Sequence, residues 1–168
     1  MSGNQLSQIN TLVDGVAQTR VYYSYDAQNR LTQVKTDLTP DGSIADGNVH
    51  TVAYRYDGDS KRLTGISVNG RTQASYTYQQ VGSEYKVKTA TDGAGNTLTL
   101  HYVDGYQTDV VDAMGQLTSY FFDDHGQLTR LVSPAVNGQR FETRYQYDLD
   151  GNLTQVLDPA NRSMHYEY

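Results

Sequence analysis

Carboxylates are the most plentiful reactive side chains in this sequence, and two places hold them close together: Asp123 with Asp124, and Asp148 with Asp150. Paired carboxyls can carry general acid–base chemistry or cleave a glycosidic bond when their environments drive their pKa values apart. Both pairs, however, fall in a turn signal that recurs along the chain, where Asp has a backbone to cap and a turn tip offers little burial. Asp123 and Asp148 are therefore read as turn-capping residues, and no catalytic residue and no enzymatic activity are expected.

The other reactive groups give equally little. His50, His101, His125 and His165 share no metal-ligand spacing, and the absence of cysteine excludes thiolate sites, cysteine nucleophiles and disulfides. The oxygen-rich run from Asp41 to Asn48 lacks the ligand spacing of an EF-hand loop. No metal or cofactor is expected. Asn152-Leu-Thr154 and Asn161-Arg-Ser163 fit the glycosylation triplet only because Asn fills turn positions ahead of Ser or Thr. Tyrosine rows near Arg55, Arg144 and Arg162 could stack on sugars or a partner peptide. Cross-strand aromatic packing is the more ordinary use of the same residues.

What positions these residues is a repeat. An aromatic, any residue, an aromatic and Asp, followed by a turn and Leu-Thr, occurs as Tyr23, Tyr25, Asp26, Leu31, Thr32 and as Tyr54, Tyr56, Asp57, Leu63, Thr64. It returns as Tyr120, Phe122, Asp123, Leu128, Thr129 and as Tyr145, Tyr147, Asp148, Leu153, Thr154. Asp92 to Gly95, Asp112 to Gly115 and Asp158 to Asn161 share the same turn form. Asp can accept backbone N–H groups, and Gly or Asn tolerates a left-handed fourth position, as at Asn29, Gly95, Gly115, Gly126, Gly151 and Asn161. The strand-ending aromatics Tyr25, Tyr56, Tyr78, Tyr102, Phe122, Tyr147 and Tyr168 are spaced 31, 22, 24, 20, 25 and 21 residues apart. A fixed period of this size is the mark of a repeat architecture.

Each period holds two alternating segments, such as Thr143–Tyr147 and Leu153–Leu157, so the expected fold is all-β: consecutive antiparallel β-hairpins forming one curved, spiralling sheet. Only the first dozen residues admit a short helical spacing. Tyr25, Tyr56, Phe122 and Tyr147 should share one face. Gln79 stands where the motif has Asp, so the unit around Tyr76 and Tyr78 departs from the pattern. Residues 39–48 read as an inserted surface loop, which accounts for the longest spacing, and residues 1–168 as about seven repeat units. The ending at His165-Tyr-Glu-Tyr168, where the pattern calls for Asp and a turn, suggests a piece of a longer array.

Composition bounds the partners. The chain has 168 residues and net charge −6, with 37% hydrophobic and 19% charged residues and 15 Tyr against 3 Phe and no Trp. So acidic a chain repels a phosphate backbone, which excludes nucleic acid. Its length is enough for one domain or for a short stack of repeats, and is long enough to bury a core. No run approaches the roughly 20 apolar residues of a membrane span, and Met-Ser-Gly-Asn-Gln-Leu lacks the regions of a signal peptide.

Tyr23-Ser-Tyr-Asp-Ala-Gln-Asn-Arg-Leu-Thr32 and Tyr145-Gln-Tyr-Asp-Leu-Asp-Gly-Asn-Leu-Thr154 resemble the tyrosine–aspartate (YD) repeats of the Rhs family. That family includes bacterial polymorphic toxins, insecticidal toxin complex B and C components, and teneurins. The resemblance covers residues 13 to 168. It implies a secreted or cell-surface protein whose sheet spirals into a hollow shell around a C-terminal toxin or effector cargo. The partners it implies are the rest of the shell and that cargo, with self-association at open sheet edges. The self-cleaving aspartate protease segment of such proteins has no match here, since Asp158-Pro159 is the repeat's own turn. An adhesion or carbohydrate-binding module that presents its tyrosines to glycans is the alternative.

Overall fold

The computed structural model describes residues 5–39 and 44–168. Among them are fourteen strands and no helix: β1 (Gln8–Val13), β2 (Val16–Tyr25), β3 (Leu31–Asp37), β4 (Val49–Tyr56), β5 (Leu63–Val68), β6 (Arg71–Val81) and β7 (Glu84–Asp92), then β8 (Thr97–Tyr102), β9 (Gln107–Val111), β10 (Leu117–Phe122), β11 (Leu128–Val132), β12 (Glu142–Tyr147), β13 (Leu153–Leu157) and β14 (Ser163–His165). Hydrogen bonding follows chain order from β1 to β14 in one sheet. Connections this short leave successive strands no choice but to pair as antiparallel neighbours. The all-β expectation holds, and the helical alternative for the first residues does not: the described part of that stretch forms β1, held by Ile9 opposite Val21 and Gln8 opposite Tyr22.

The chain divides into two units, one comprising residues up to Thr77 with Thr91–Gly95, the other Tyr78–Ala90 with Asn96–Tyr168. In the first, β2 pairs with β3 from Arg20–Asp37 to Tyr25–Leu31, and β4 with β5 from Val52–Val68 to Tyr56–Leu63. In the second, β10 pairs with β11 and β12 with β13 in the same manner. Two-residue turns close other hairpins. Asp14-Gly15 and Asn69-Gly70 both hold two consecutive positive φ angles (51° and 78°, 48° and 79°), the mirror-image turn that matches strand twist. Of the inserted loop, Pro40–Ser43 lie outside the described residues. Beyond them, Asn48 pairs its carbonyl with the Leu38 N–H, returning the chain to β4.

The expected buried core is absent among the described residues. No hydrophobic side chain is buried, and the two buried residues are polar: Asp37 and Ser119. The strand contacts within each unit run between chain neighbours, as for β1 with β2, β3 with β4 and β12 with β13. Hydrogen-bonded ladders and cross-strand side-chain pairs must therefore supply much of the stability.

Candidate functional site

The recurring site is the tyrosine–aspartate turn. At Asp148, carboxylate Oδ1 accepts the N–H groups of Asp150 (3.0 Å) and Asn152 (2.9 Å), while Oδ2 accepts the Asn152 side-chain amide at 3.0 Å. The backbone closes around it: the Asp148 N–H donates to the Asn152 carbonyl and the Gly151 N–H to the Asp148 carbonyl. Asp26, Asp112, Asp123 and Asp158 repeat this arrangement with the N–H groups two and four residues on. Asp92 accepts the N–H of Ala94, and Asp57, with one extra turn residue, takes the Arg62 guanidinium. The fourth positions are left-handed, with φ of 61° at Asn29, 90° at Gly95, 77° at Gly115, 78° at Gly126, 86° at Gly151 and 60° at Asn161.

These bonds set the acidities. The side-chain amide and backbone N–H of Asn152 lower the pKa of Asp148, and the backbone N–H and guanidinium of Arg162 lower that of Asp158. At Asp26 burial opposes ionisation, but the N–H and guanidinium of Arg30 outweigh it and the pKa is lowered. A carboxylate held ionised by its own turn is a poor proton donor near neutrality.

The Leu-Thr that follows the Asp26, Asp57, Asp123 and Asp148 turns has a distinct task, whereas Leu117 and Thr118 after Asp112 pair regularly with Val111 and Val110. Tyr25 stands opposite Leu31 and Ser24 opposite Gln33, which leaves Thr32 as an extra, bulged residue. Thr64, Thr129 and Thr154 occupy the same place. The hydroxyls of Thr32, Thr129 and Thr154 donate back across the bulge to the carbonyls of Ser24 (3.1 Å), Phe121 (3.2 Å) and Gln146 (3.2 Å). A hydroxyl on a β-branched residue suits both the strand and the orphaned carbonyl.

The two aromatics of the motif divide their work. The first faces an aliphatic residue across the strand pair: Tyr23 with Val34, Tyr54 with Ile66, Tyr120 with Leu131 and Tyr145 with Val156. The second reaches the preceding strand through its hydroxyl. Tyr56 donates to the Leu31 carbonyl at 2.7 Å, Tyr147 to that of Leu128 at 3.0 Å, Tyr25 to that of Leu6 at 3.1 Å and Tyr102 to that of Val87 at 2.9 Å. Burial raises the pKa of Tyr102, and burial with the nearby Tyr145 and Asp123 raises that of Tyr147, so both phenols stay protonated donors.

Several sequence readings need correction. Tyr78 does not end its strand, because β6 runs on to Val81 and turns at Gly82 (φ 61°). Without an Asp at Gln79 the motif's carboxylate is missing there. Cations lie over aromatic rings at Arg30 on Tyr56 (4.7 Å), Lys86 on Tyr102 (5.1 Å) and Arg130 on Phe121 (3.6 Å). Arg55 lies along Gly65, Arg144 pairs with Glu142, and Arg162 pairs with Asp158 at 2.6 Å. The Asp-Gly and Asn-Gly hairpin turns were legible signals that the four-residue turn pattern masked.

Three groupings come nearest to chemistry. Asp123, Asp124 and His125 bring ligand atoms within 4.8 Å of one another, but Asp123 Oδ1 already holds two N–H groups and the His125–Asp124 pair is exposed. His50, His101 and His165 stand on β4, β8 and β14, apart from that group in the strand order. His101, Asp109 and Ser119 form a row across β8, β9 and β10, with Asp109 between the other two, so the histidine is not placed to take a proton from the serine. Burial opposes ionisation of Asp109, but Gln107, Ser119, Arg140 and His101 together lower its pKa. An open groove of about 310 Å³ beside Phe141 and Pro159 is lined by Arg140, Arg144, Glu142 and Asp158, whose charges are already paired or hydrogen-bonded.

Residues 122–163 match the family model described as RHS Repeat, a segment that contains the Asp123, Asp148 and Asp158 turns and the Thr129 and Thr154 bulges. That segment of the chain is thus similar to an RHS repeat. No curated protein matches it. Among solved structures, a porin-like protein from Bacteroides uniformis superposes with a TM-score of 0.40 at 13% identity, over 89% of this chain and 87% of that one. The TcdB2–TccC3–Cdc42 complex gives a TM-score of 0.25 at 13% identity, over 83% of this chain and 10% of that one. Both scores are too low to define a shared fold. No helix among the described residues is long and apolar enough to cross a membrane.

Proposed function

We propose that this chain is a wall segment of an Rhs/YD-repeat shell, an array of about seven units that confines a toxin or effector cargo in a secreted protein. One observation carries the reading. The Asp-capped turn, the Thr bulge and the tyrosine hydroxyl bond found within residues 122–163 recur at Tyr25–Thr32, outside the matched segment. A wall needs a long ladder whose local geometry is copied from unit to unit, and it needs no active site. It also needs no second layer of its own, in keeping with the absence of buried hydrophobic side chains among the described residues.

Calorimetric titration with a panel of polysaccharides separates this reading from adhesion. A wall segment gives no saturable heat. Saturable binding that is lost when Tyr145 or Phe141 is replaced by Ala would overturn the reading in favour of a glycan-binding module.

A further inference from the structure

The sequence holds two Asn-Gly pairs in the same local setting, Val68-Asn69-Gly70 and Val136-Asn137-Gly138. Each closes a hairpin with two consecutive positive φ angles, 48° and 79° at the first and 52° and 79° at the second. Asn followed by Gly carries a reaction of its own, because glycine has no side chain to keep its nitrogen away from the Asn amide carbon. Whether the reaction runs depends on how firmly each amide is held.

Asn69 is held by its neighbours. The β5–β6 ladder starts at the turn itself, with Val68 opposite Arg71. On the other side, the Asn69 N–H donates to the Thr51 carbonyl of β4 at 2.8 Å, and Asn69 Oδ1 accepts the Thr51 N–H at 2.8 Å. The side-chain carbonyl thus takes the place of a backbone carbonyl in the β4–β5 ladder, so any turn of that amide toward Gly70 first breaks a ladder bond. Asn137 has no such support. It is exposed at the tip of the connection between β11 and β12, and among the described residues no group bonds its side-chain amide. The tip is closed by an isolated bridge, with the Val136 N–H on the Gln139 carbonyl at 2.8 Å and the Gln139 N–H on the Val136 carbonyl at 3.0 Å. Two solvent-exposed bonds open at far lower cost than a ladder flanked by a third strand.

We propose that Asn137-Gly138 is a site of spontaneous deamidation, and that Thr51 protects the matching turn at Asn69-Gly70. The Gly138 nitrogen bonds to Asn137 Cγ, the Cγ–Nδ2 bond breaks, and ammonia leaves with the proton that Gly138 gives up, which forms a cyclic succinimide. Water then opens the ring, its hydroxyl going to one of the ring carbonyl carbons and its proton to the ring nitrogen. Opening at Cγ gives aspartate, and opening at the main-chain carbonyl gives isoaspartate, whose main chain runs through Cβ and Cγ. Either product carries one more negative charge than the amide. Aspartate keeps the turn, since Asp14-Gly15 already holds φ of 51° and 78°. Isoaspartate lengthens the main chain, so the Val136–Gln139 bridge is lost.

Peptide mapping by mass spectrometry tests this on the full chain held at mildly alkaline pH, folded and in urea, where the two Val-Asn-Gly triplets lose their different settings. In the folded chain, conversion at Asn137 should run roughly tenfold or more ahead of Asn69, and in urea the two should convert at similar rates. In heavy-oxygen water the new acid should take its added oxygen from the solvent. Equal rates in the folded chain, or an Asn137 that stays intact there while both sites convert in urea, would overturn the proposal. A lead that persists undiminished in urea would place the cause in the flanking Arg71 and Gln139 and refute the protection by Thr51.

Discussion

The Tyr147 hydroxyl donates to the main-chain carbonyl of Leu128 at 3.0 Å, two residues beyond the point where the β11–β12 ladder stops at Arg130 and Arg144. The same offset holds for Tyr56 and Leu31, where the β3–β4 ladder stops at Gln33 and Ala53. A phenol therefore extends each ladder by one bond that the backbone no longer makes. Phe122 lacks the hydroxyl, and there the backbone itself continues, with the Phe122 N–H on the Tyr106 carbonyl at 2.8 Å.

Removing that phenol should cost stability where it bonds and nothing where it is already missing. Tyr147→Phe is expected to lose about 0.5–1.5 kcal/mol, toward the lower end because water can reach the site. Phe122→Tyr should be close to neutral. Urea denaturation of both variants checks the contrast, and equal losses would remove the special role of the hydroxyl.

The left-handed turn positions separate strain from crowding. A Cβ at Gly126 meets nothing within 4 Å, whereas one at Gly151 comes within 3.1 Å of Gln127 Nε2. Gly126→Val should destabilise by more than the ~1 kcal/mol of an ordinary Gly replacement through φ alone. Gly151→Val should cost more still. Asn at either place should be mild, since Asn29 and Asn161 already adopt φ of 61° and 60°. Thermal melts of the four variants measure this ordering.

Gly93 is constrained by proximity: a Cβ there would lie 2.8 Å from the Thr72 carbonyl oxygen, which is backbone and cannot swing aside. Gly93→Ala should lose about 1–3 kcal/mol, the usual cost of overpacking. Gly105→Ala, with open space around it, is the control and should stay within about 0.5 kcal/mol.

Acid should weaken the turns. Asp26, Asp148 and Asp158 have lowered pKa values when folded, so their contribution is complete above the unfolded carboxylate value of about 3.9 and is lost as pH falls through the folded values. At the other extreme, the raised pKa values of Tyr102 and Tyr147 give a contribution present below about 10 that disappears as pH rises through their folded values. Melting temperatures measured across pH should decline at both ends. Asp148→Asn should reduce the slope of the acid limb.

Features decided within a few neighbouring residues were legible in the sequence. An Asp followed three places on by Gly or Asn dictates its own hydrogen bonds, so the turns and the strand rhythm could be read directly. The recurrence of Leu-Thr was equally visible, but its purpose was not, because a bulge exists only relative to the opposing strand. The bonds from Tyr25, Tyr56 and Tyr147 to carbonyls 19 or 25 residues away depend on register and were hidden for the same reason. Tyr78 shows the reverse error: an aromatic at the right spacing does not by itself end a strand, and β6 runs on to Val81. The core that this length would allow is absent among the described residues, because length bounds how much surface a chain can bury and not how much it does bury.

Limited proteolysis of the natural polypeptide that carries this chain tests enclosure most directly. The account predicts that a segment following the repeats stays uncut while the wall is intact, and is digested once Asp123, Asp148 and Asp158 are replaced together by Ala to open their turns. A following segment cut equally fast in both proteins would contradict the wall reading.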